Sequence, residues 1–361
     1  MNLLYATTSY NAELLDRVHE EFLQRWLELG HSATIIVPDP DRGRRERWLT
    51  EEPASGQPAI PVVRPAVSAS WPDRGLNWLS KRLAAYDYFL TFLRAYWLYL
   101  RRHPEIDVIH VESVYPLGAV AAVASLLDRR PFVPTIRGGD LIADDEIGYG
   151  FARFRSVRAL LKLTFRRSAL VRAVSPGAGR MAEEAGCPPE KLATIPRNIR
   201  NEYFLADPAA FRAEQRRWLR ERHPEIAGRQ VIVAAGRLLP VKGFDDLIKA
   251  MAALPGAVAL ICGPNRIDEK LGDYAAYLTD LARERGVADR VILPGGIPRA
   301  DMVRYFAGAD VLAVSSLIEG GNRTILEGAT LGVPFVATET AGTPEFFTPD
   351  QGLAVPARRP D

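Results

Sequence analysis

The chain has 361 residues, too long for one ordinary hydrophobic core, so two domains are expected. Lys and Arg number 46 against 44 Asp and Glu, and a net charge of +2 gives no general electrostatic case for nucleic acid. Two cysteines, Cys187 and Cys262, fall in segments assigned to different lobes, which argues against a disulfide framework or thiolate metal site and fits a reducing cytoplasm.

The opening MNLLYATTSYNAELLD has no basic region and no long apolar run, so no secretion signal is expected. In the first half, strands are expected at 3–7, 33–38, 107–111, 132–136, 169–174 and 192–195. The helix after the first strand carries Leu14, Val18, Phe22 and Trp26 at i,i+4 spacing, which predicts one buried stripe. Residues 39–75 are rich in Pro, Gly and charge and read as a surface excursion. Residues 77–102 mix aromatics such as Trp78, Tyr96 and Trp97 with Lys81, Arg82 and Arg94, and residues 151–167 add a run of Arg and Lys. A helix packed on the first lobe with a solvated basic face is the preferred reading; a helix lying on an anionic membrane surface is the alternative. The longest apolar run, 117–127, is too short to span a bilayer. His110 and Glu112 read as structural or acceptor-side, and the other histidines as surface or helix-end residues.

After a polar stretch at 201–228, read as linker and connecting helix, a second series of strands is expected at 230–235, 258–262, 290–293, 310–314 and 335–337. Alternating strands and helices in both halves indicate a doubly wound α/β organisation.

The second half carries the chemistry. Residues 317–347 read LIEGGNRTILEGATLGVPFVATETAGTPEFF, with Glu319 and Glu327 around the turn Gly320-Gly321. A helix is expected from Arg323 to Leu331, stopped by Gly332 and Pro334. A glycine turn opening a helix presents backbone N–H groups and a positive dipole end, a seat for phosphate. Two carboxylates too far apart to share one point can grip separate hydroxyls of an elongated ligand, and a sugar nucleotide has that form. Ligands of open α/β sheets sit beyond the carboxyl ends of the strands, which is where Arg237 and Lys242 follow strand 230–235. Arg237 can fork onto phosphate oxygens and Lys242 supplies a compact charge, while Gly236 permits close backbone approach. Neither a D-x-D loop nor a Cys/His ligand cluster stands out, and no metal is expected. There is no G-x-S-x-G elbow and no G-x-G-x-x-G after a strand.

SSLIEGGNRTILEGATLGVPFVATETAGTPEFF, VIVAAGRLLPVKGFDDLIKAM and RGVADRVILPGGIPRADMVRYFAGADVLAVSS together resemble the donor half of retaining glycosyltransferase family 4. The likeness covers nearly all of 229–355 and is looser earlier, through DVIHVE, PTIRGGDLI, ALVRAVSPG and IPRNIRNEYF. It implies a GT-B fold: two Rossmann-like doubly wound lobes with an interlobe cleft, an acceptor-side domain at 1–200, a linker at 201–228 and a nucleotide-sugar domain at 229–361. Similar chains continue with a crossover helix after the segment GLAVPARRPD, and that helix is expected to be absent.

The resemblance implies Arg237, Lys242 and Glu319 as catalytic residues. It implies Gly236, Gly295, Ile297, Gly320, Gly321, Asn322, Thr324 and Glu327 as donor-binding residues, with the base held by main chain at 295–298. Acceptor-side candidates are Ser9, Tyr10, Asn11, Arg137 and Asp140. Arg137 stands where many members carry histidine, and arginine cannot serve as a base at neutral pH. Asp140 is either a sugar or acceptor contact or a helix cap. The activity implied is transfer of a hexosyl group from a nucleoside-diphosphate sugar (UDP- or GDP-linked) to a hydroxyl of a small sugar, glycan or lipid-linked acceptor. No cofactor beyond that co-substrate is implied, and the location is cytoplasmic, with the inner membrane face left open. Alternatives are a non-catalytic sugar-nucleotide binding protein and a GT-B epimerase or phosphorylase.

Overall fold

A computed structural model describes residues 1–8, 17–39, 51–54, 57–67, 71–268, 272–343 and 345–360. It divides into two compact units, Met1–Pro196 and Arg197–Asp361.

The first unit runs β1 (Asn2–Ala6), α1 (Arg17–Glu28), β2 (Ser32–Ile36), β3 (Glu51–Ala54), β4 (Gln57–Val63), α2 (Trp71–Ala84), α3 (Phe89–Arg102), β5 (Val108–Val111), α4 (Leu117–Ala124), β6 (Phe132–Ile136), α5 (Arg155–Arg167), β7 (Val171–Ala173), α6 (Pro176–Glu184) and β8 (Leu192–Thr194). Its eight strands lie in the order β3-β4-β2-β1-β5-β6-β7-β8. All neighbours are parallel except β3 and β4. Apolar runs such as LLYA and FVPTI are buried because helices cover both faces of a parallel sheet. One face packs α3, α4, α5 and α6 around Phe92, Tyr96, Val120 and Phe165; the other packs α1 around Leu23, Ile35 and Val62.

Two expectations need correction here. The span 39–75 holds β3 and β4 rather than only a surface excursion. Prolines masked these strands, yet β4 pairs with β2 only through Val62 and Val63, and β3 is an edge, where proline is tolerated. Among the described side chains of α1 Leu23 is buried, with Trp26 and Leu27 partly covered, while Phe22 is 38% exposed and lies against Tyr5 and His110. Leu14, and the side chain of Val18, lie outside the described residues. The run 117–127 is only partly helical; α4 is buried against α3 and α5, and Leu126 and Leu127 project beyond it.

The second unit runs α7 (Pro208–Arg222), β9 (Gln230–Ala235), α8 (Phe244–Ala250), β10 (Ala257–Cys262), β11 (Ile267–Asp268), β12 (Gly272–Asp273), α9 (Tyr274–Glu284), β13 (Val291–Gly295), α10 (Arg299–Gly308), β14 (Val311–Val314), α11 (Arg323–Thr330), β15 (Phe335–Thr338) and β16 (Gly352–Val355). The main sheet is parallel, in the order β13-β10-β9-β14-β15-β16. Helices α8 and α9 cover one face; α7, α10 and α11 cover the other.

The span 201–228 is integral to this unit. Asp207 caps α7 by accepting from Ala210 N–H, and Leu219 and Gln215 of α7 are buried against α10. A Cβ on Gly308 would come within 2.9 Å of the Gln215 carbonyl oxygen, so the two helices meet closely at this glycine. Cys187 and Cys262 are buried and unbridged, and burial pushes their thiols up to about 11 and about 12. Among the described residues no helix is long and apolar enough to cross a membrane.

Candidate functional site

The chain leaves β9 toward β10 and β13 on one side, then returns to add β14, β15 and β16 on the other. The crevice outside the carboxyl ends of β9 and β14 is therefore the topological switch point of the second unit, the ordinary ligand position in such sheets. Two loops meet there. Leu317 N–H donates to the Val241 carbonyl at 2.9 Å, and Ser315 Oγ donates to the Lys242 carbonyl at 3.0 Å. Thr338 Oγ1 donates to the Val314 and Ser316 carbonyls, fixing the second loop from β15.

These contacts bring Lys242 against Glu319. Lys242 Nζ pairs with Glu319 Oε1, and Ser316 Oγ donates to the same oxygen at 3.1 Å. The lysine stem lies along Gly236, where an added Cβ would meet Lys242 Cε at 3.2 Å. Arg237 is exposed at the same edge, and no ion pair to it is found among the described residues. Lysine and glutamate were assigned to phosphate and sugar separately, but here each is the other's partner.

Gly243 shows how tightly the loops are joined. Its φ is +60°, and a Cβ there would stand 2.1 Å from the Ser315 carbonyl oxygen. Gly243→Ala should therefore push the two loops apart and cost about 1–3 kcal/mol of stability, with loss of nucleotide binding. Thermal melts with and without nucleoside diphosphate would check this; an unchanged melt and unchanged ligand shift would contradict the loop geometry.

Beyond Glu319, the turn Gly320-Gly321 leads to Asn322, which caps α11 by accepting from Thr324 N–H at 2.9 Å. The Thr324 amide is thus engaged by the cap. The left-handed Gly332 closes the helix end, as its sequence indicated. Glu327 is buried within α11. Burial raises its carboxyl above the ordinary value, and Arg323, Arg200 and Arg299 oppose that shift.

Of these, Arg200 was not singled out by sequence. Its side chain is buried, pairs with Glu202 and donates to Tyr203 Oη at 3.0 Å. Tyr203 in turn packs in the same core as Ile325 of α11. No spacing rule ties position 200 to position 327, so only the fold could reveal this. Arg299 begins α10, directly after the loop Gly295 to Pro298 expected to hold the base, and its charge acts on Glu327. Gly295 ends β13 with its carbonyl accepting from Gly263 N–H at 2.8 Å, and Ile297 is partly buried against the core.

In the first unit the corresponding switch point lies between β1 and β5. Glu112 follows β5, accepts from Thr7 Oγ1 and pairs with Arg137 Nη1 at 2.7 Å. Arg137 thus holds a charge-pairing position. Asp140 accepts from Val114 N–H at 2.9 Å, tying the loop after β6 to the loop after β5, and it caps no helix of its own. Its other oxygen is buried without a hydrogen bond, and burial raises its pKa. His110 is packed between Tyr5, stacked at 5.2 Å, and Phe22, with Thr135 Oγ1 at 3.2 Å, which is a structural setting. Ser9, Tyr10 and Asn11 lie outside the described residues.

Two doubly wound parallel sheets, with the charged groups of the second gathered at its switch point, are the architecture of GT-B glycosyltransferases. The comparisons are consistent with that class. Residues 16–198 match the model of the glycosyl transferase 4-like domain, and residues 215–361 match that of the glycosyl transferases group 1. The chain belongs to this family of glycosyltransferases, of the family 4 type.

A GDP-mannose-dependent alpha-(1-6)-phosphatidylinositol monomannoside mannosyltransferase of Mycobacterium tuberculosis is 29% identical over 269 residues, covering 71% of this chain and 64% of that protein. The chain thus spans less than two thirds of the length of that relative. Among solved structures, Anabaena Alr3699/HepE in complex with UDP aligns with a TM-score of 0.70 at 21% identity, covering 99% of this chain and 86% of the other. Sucrose-phosphate synthase from Thermosynechococcus elongatus gives 0.75 at 17%, covering 99% and 86%. These structural likenesses concern the fold.

Proposed function

We propose that the protein is a retaining hexosyltransferase that uses a nucleoside-diphosphate sugar. The observation carrying this reading is the arrangement at one sheet edge of the second unit. Arg237, Lys242 and Glu319 stand at the switch point, and Glu327 has arginines around it. In this reading the diphosphate takes Lys242 from Glu319, and the freed carboxylate turns to the sugar hydroxyls. Glu327 accepts from the ribose hydroxyls. Arg237 and Lys242 offset the negative charge that grows on the leaving diphosphate.

The bond from the anomeric carbon to the phosphate oxygen breaks as the acceptor oxygen bonds the same face. The acceptor proton passes to the departing phosphate oxygen, so no protein base is needed and retention follows. Arg137, paired with Glu112, then serves the acceptor side by charge rather than by proton transfer.

GDP-mannose, named for the mycobacterial relative, and UDP, bound in the HepE complex, define the first two nucleotides whose sugars to try. Radiolabelled UDP- and GDP-hexoses should be incubated with a panel of sugar and lipid-linked acceptors. Label appearing in an acceptor supports the proposal. Label bound but never transferred would mean a binding protein, a changed donor sugar an epimerase, and phosphate-dependent release a phosphorylase.

The same assay addresses metals. Two cations and a helix N-terminus face the diphosphate position, so a chelator should leave transfer within about twofold. Complete loss in EDTA, restored by magnesium or manganese, would reject metal-independent catalysis.

A further inference from the structure

Glu327 is only 9% exposed, yet among the described residues no side chain or amide hydrogen-bonds its carboxylate. What surrounds it is charge. Arg323 comes from its own helix, Arg299 from the start of α10, and Arg200 and Glu202 from the turn before α7. Strands β14 and β15, which pack on α11, supply no charged side chain. Further along α10, Arg304 is engaged by Gln215 Oε1 at 2.8 Å, and Asp301 acts on Tyr305.

Arg200 differs from the other two cations. Arg323 and Arg299 are half-buried, so water screens them, whereas Arg200 is 3% exposed. Taking an arginine out of water is costly, and its partners compensate only in part. Nη1 pairs with Glu202, Nη2 donates to Tyr203 Oη at 3.0 Å, and Nε is buried with no partner. The guanidinium lies 5.0 Å over the Tyr203 ring. Glu202 is one third exposed, so its charge is screened more than that of the arginine it holds.

Tyr203 ties this pair to α11. Its ring is fully buried, 6.4 Å from Phe306 and in one core with Ile325, two positions before Glu327. Burial raises its hydroxyl, and the charge of Glu327 is the next largest cause. Arginine, tyrosine and glutamate therefore form one cluster inside the second unit.

We infer that Arg200 is a positioning residue of the nucleotide site: clamped by Glu202 and Tyr203, its guanidinium presents Glu327 to the ribose as a charged acceptor. The inference rests on the reading of Glu327 as the ribose ligand. An ionised carboxylate accepts from a hydroxyl more strongly than a neutral one. Without the Arg200 charge, burial is opposed less and ionisation of Glu327 needs a higher pH. Without the Glu202 charge, a repelling neighbour is gone and ionisation persists to lower pH.

The test is calorimetric titration of UDP and of GDP into the full chain, from acidic to neutral pH. Arg200→Gln should weaken binding about 5- to 10-fold at neutral pH and move the acidic loss of affinity toward higher pH. Arg200→Lys, which keeps the charge, should recover most of the affinity. Glu202→Gln, whose amide oxygen can still accept from Arg200, should move the acidic loss toward lower pH. Added to Glu327→Gln, Arg200→Gln should change affinity by less than about twofold, because its route to the nucleotide is gone. The terminal phosphate titrates alike in every protein and cancels between variants. Thermal melts establish folding, and if Arg200→Gln does not fold, Glu202→Gln carries the test. Coincident pH profiles, or an Arg200→Gln loss undiminished beside Glu327→Gln, would overturn the inference and leave Arg200 a support of the core. Loss of binding in Glu327→Gln with none in Arg200→Gln overturns this inference alone. Intact binding in Glu327→Gln would remove the ribose reading and the inference with it.

Discussion

Glu327→Gln is expected to weaken binding of the free nucleoside diphosphate about 10- to 100-fold, the range for losing hydrogen bonds to a charged acceptor. The same substitution should raise the melting temperature at neutral pH. Burial makes the ionised carboxyl unfavourable in the folded chain despite Arg323, Arg200 and Arg299, and glutamine keeps the shape without the charge. The sign in pH follows from the raised pKa. Between the unfolded and folded values the native state holds the extra proton, so this group's contribution to stability falls as pH rises through that interval. The glutamine variant should lack that slope. Glu319→Gln should behave differently, leaving nucleoside diphosphate affinity nearly unchanged and depressing transfer, because a sugar contact is absent from the nucleotide alone. Calorimetric titration of both variants, with melts across pH, separates the two roles. If Glu319→Gln loses the nucleotide while Glu327→Gln keeps it, the assignments are reversed.

Arg237→Ala and Lys242→Ala are each expected to lower turnover about 10²- to 10³-fold while changing the Michaelis constant for donor much less. Both cations act most strongly once charge has built up on the leaving diphosphate, an interaction gained in the transition state. Lys242→Ala carries a second consequence, since among the described residues it leaves only Ser316 donating to the Glu319 carboxylate. A double variant, Lys242→Ala with Glu319→Gln, should therefore be less impaired than the product of the two single effects. Steady-state kinetics on the four proteins measures this coupling. Unchanged turnover in both single arginine and lysine variants would reject the switch-point site.

Much of the second unit was legible because each signal was local. Strand 230–235 followed by Gly236 and Arg237, and the helix bounded by Asn322 and Gly332, are set by neighbours in sequence, and they form as read. What sequence could not supply were contacts made by chain return. Pairing of Lys242 with Glu319 joins positions 77 apart, and the charge of Arg200 acts on Glu327 because Tyr203 and Ile325 share one core. Strands β3 and β4 were hidden for a different reason: prolines, ordinarily evidence against a strand, sit where no central ladder needs their N–H. In the first unit Glu112 gained its meaning from Arg137, a partner just past the end of the next strand that the histidine comparison had framed only as a loss.

The pairing of Lys242 with Glu319 also bears on how the proposed donor site responds to salt. A site built from two unattached cations draws counterions, and its affinity for a diphosphate falls steeply as those ions are displaced. Here one cation already has a tethered counterion of its own. Added salt screens the incoming phosphate, but it also loosens the internal pair that the phosphate has to replace. The two effects oppose each other, so nucleoside diphosphate affinity at the proposed site is expected to depend only weakly on ionic strength.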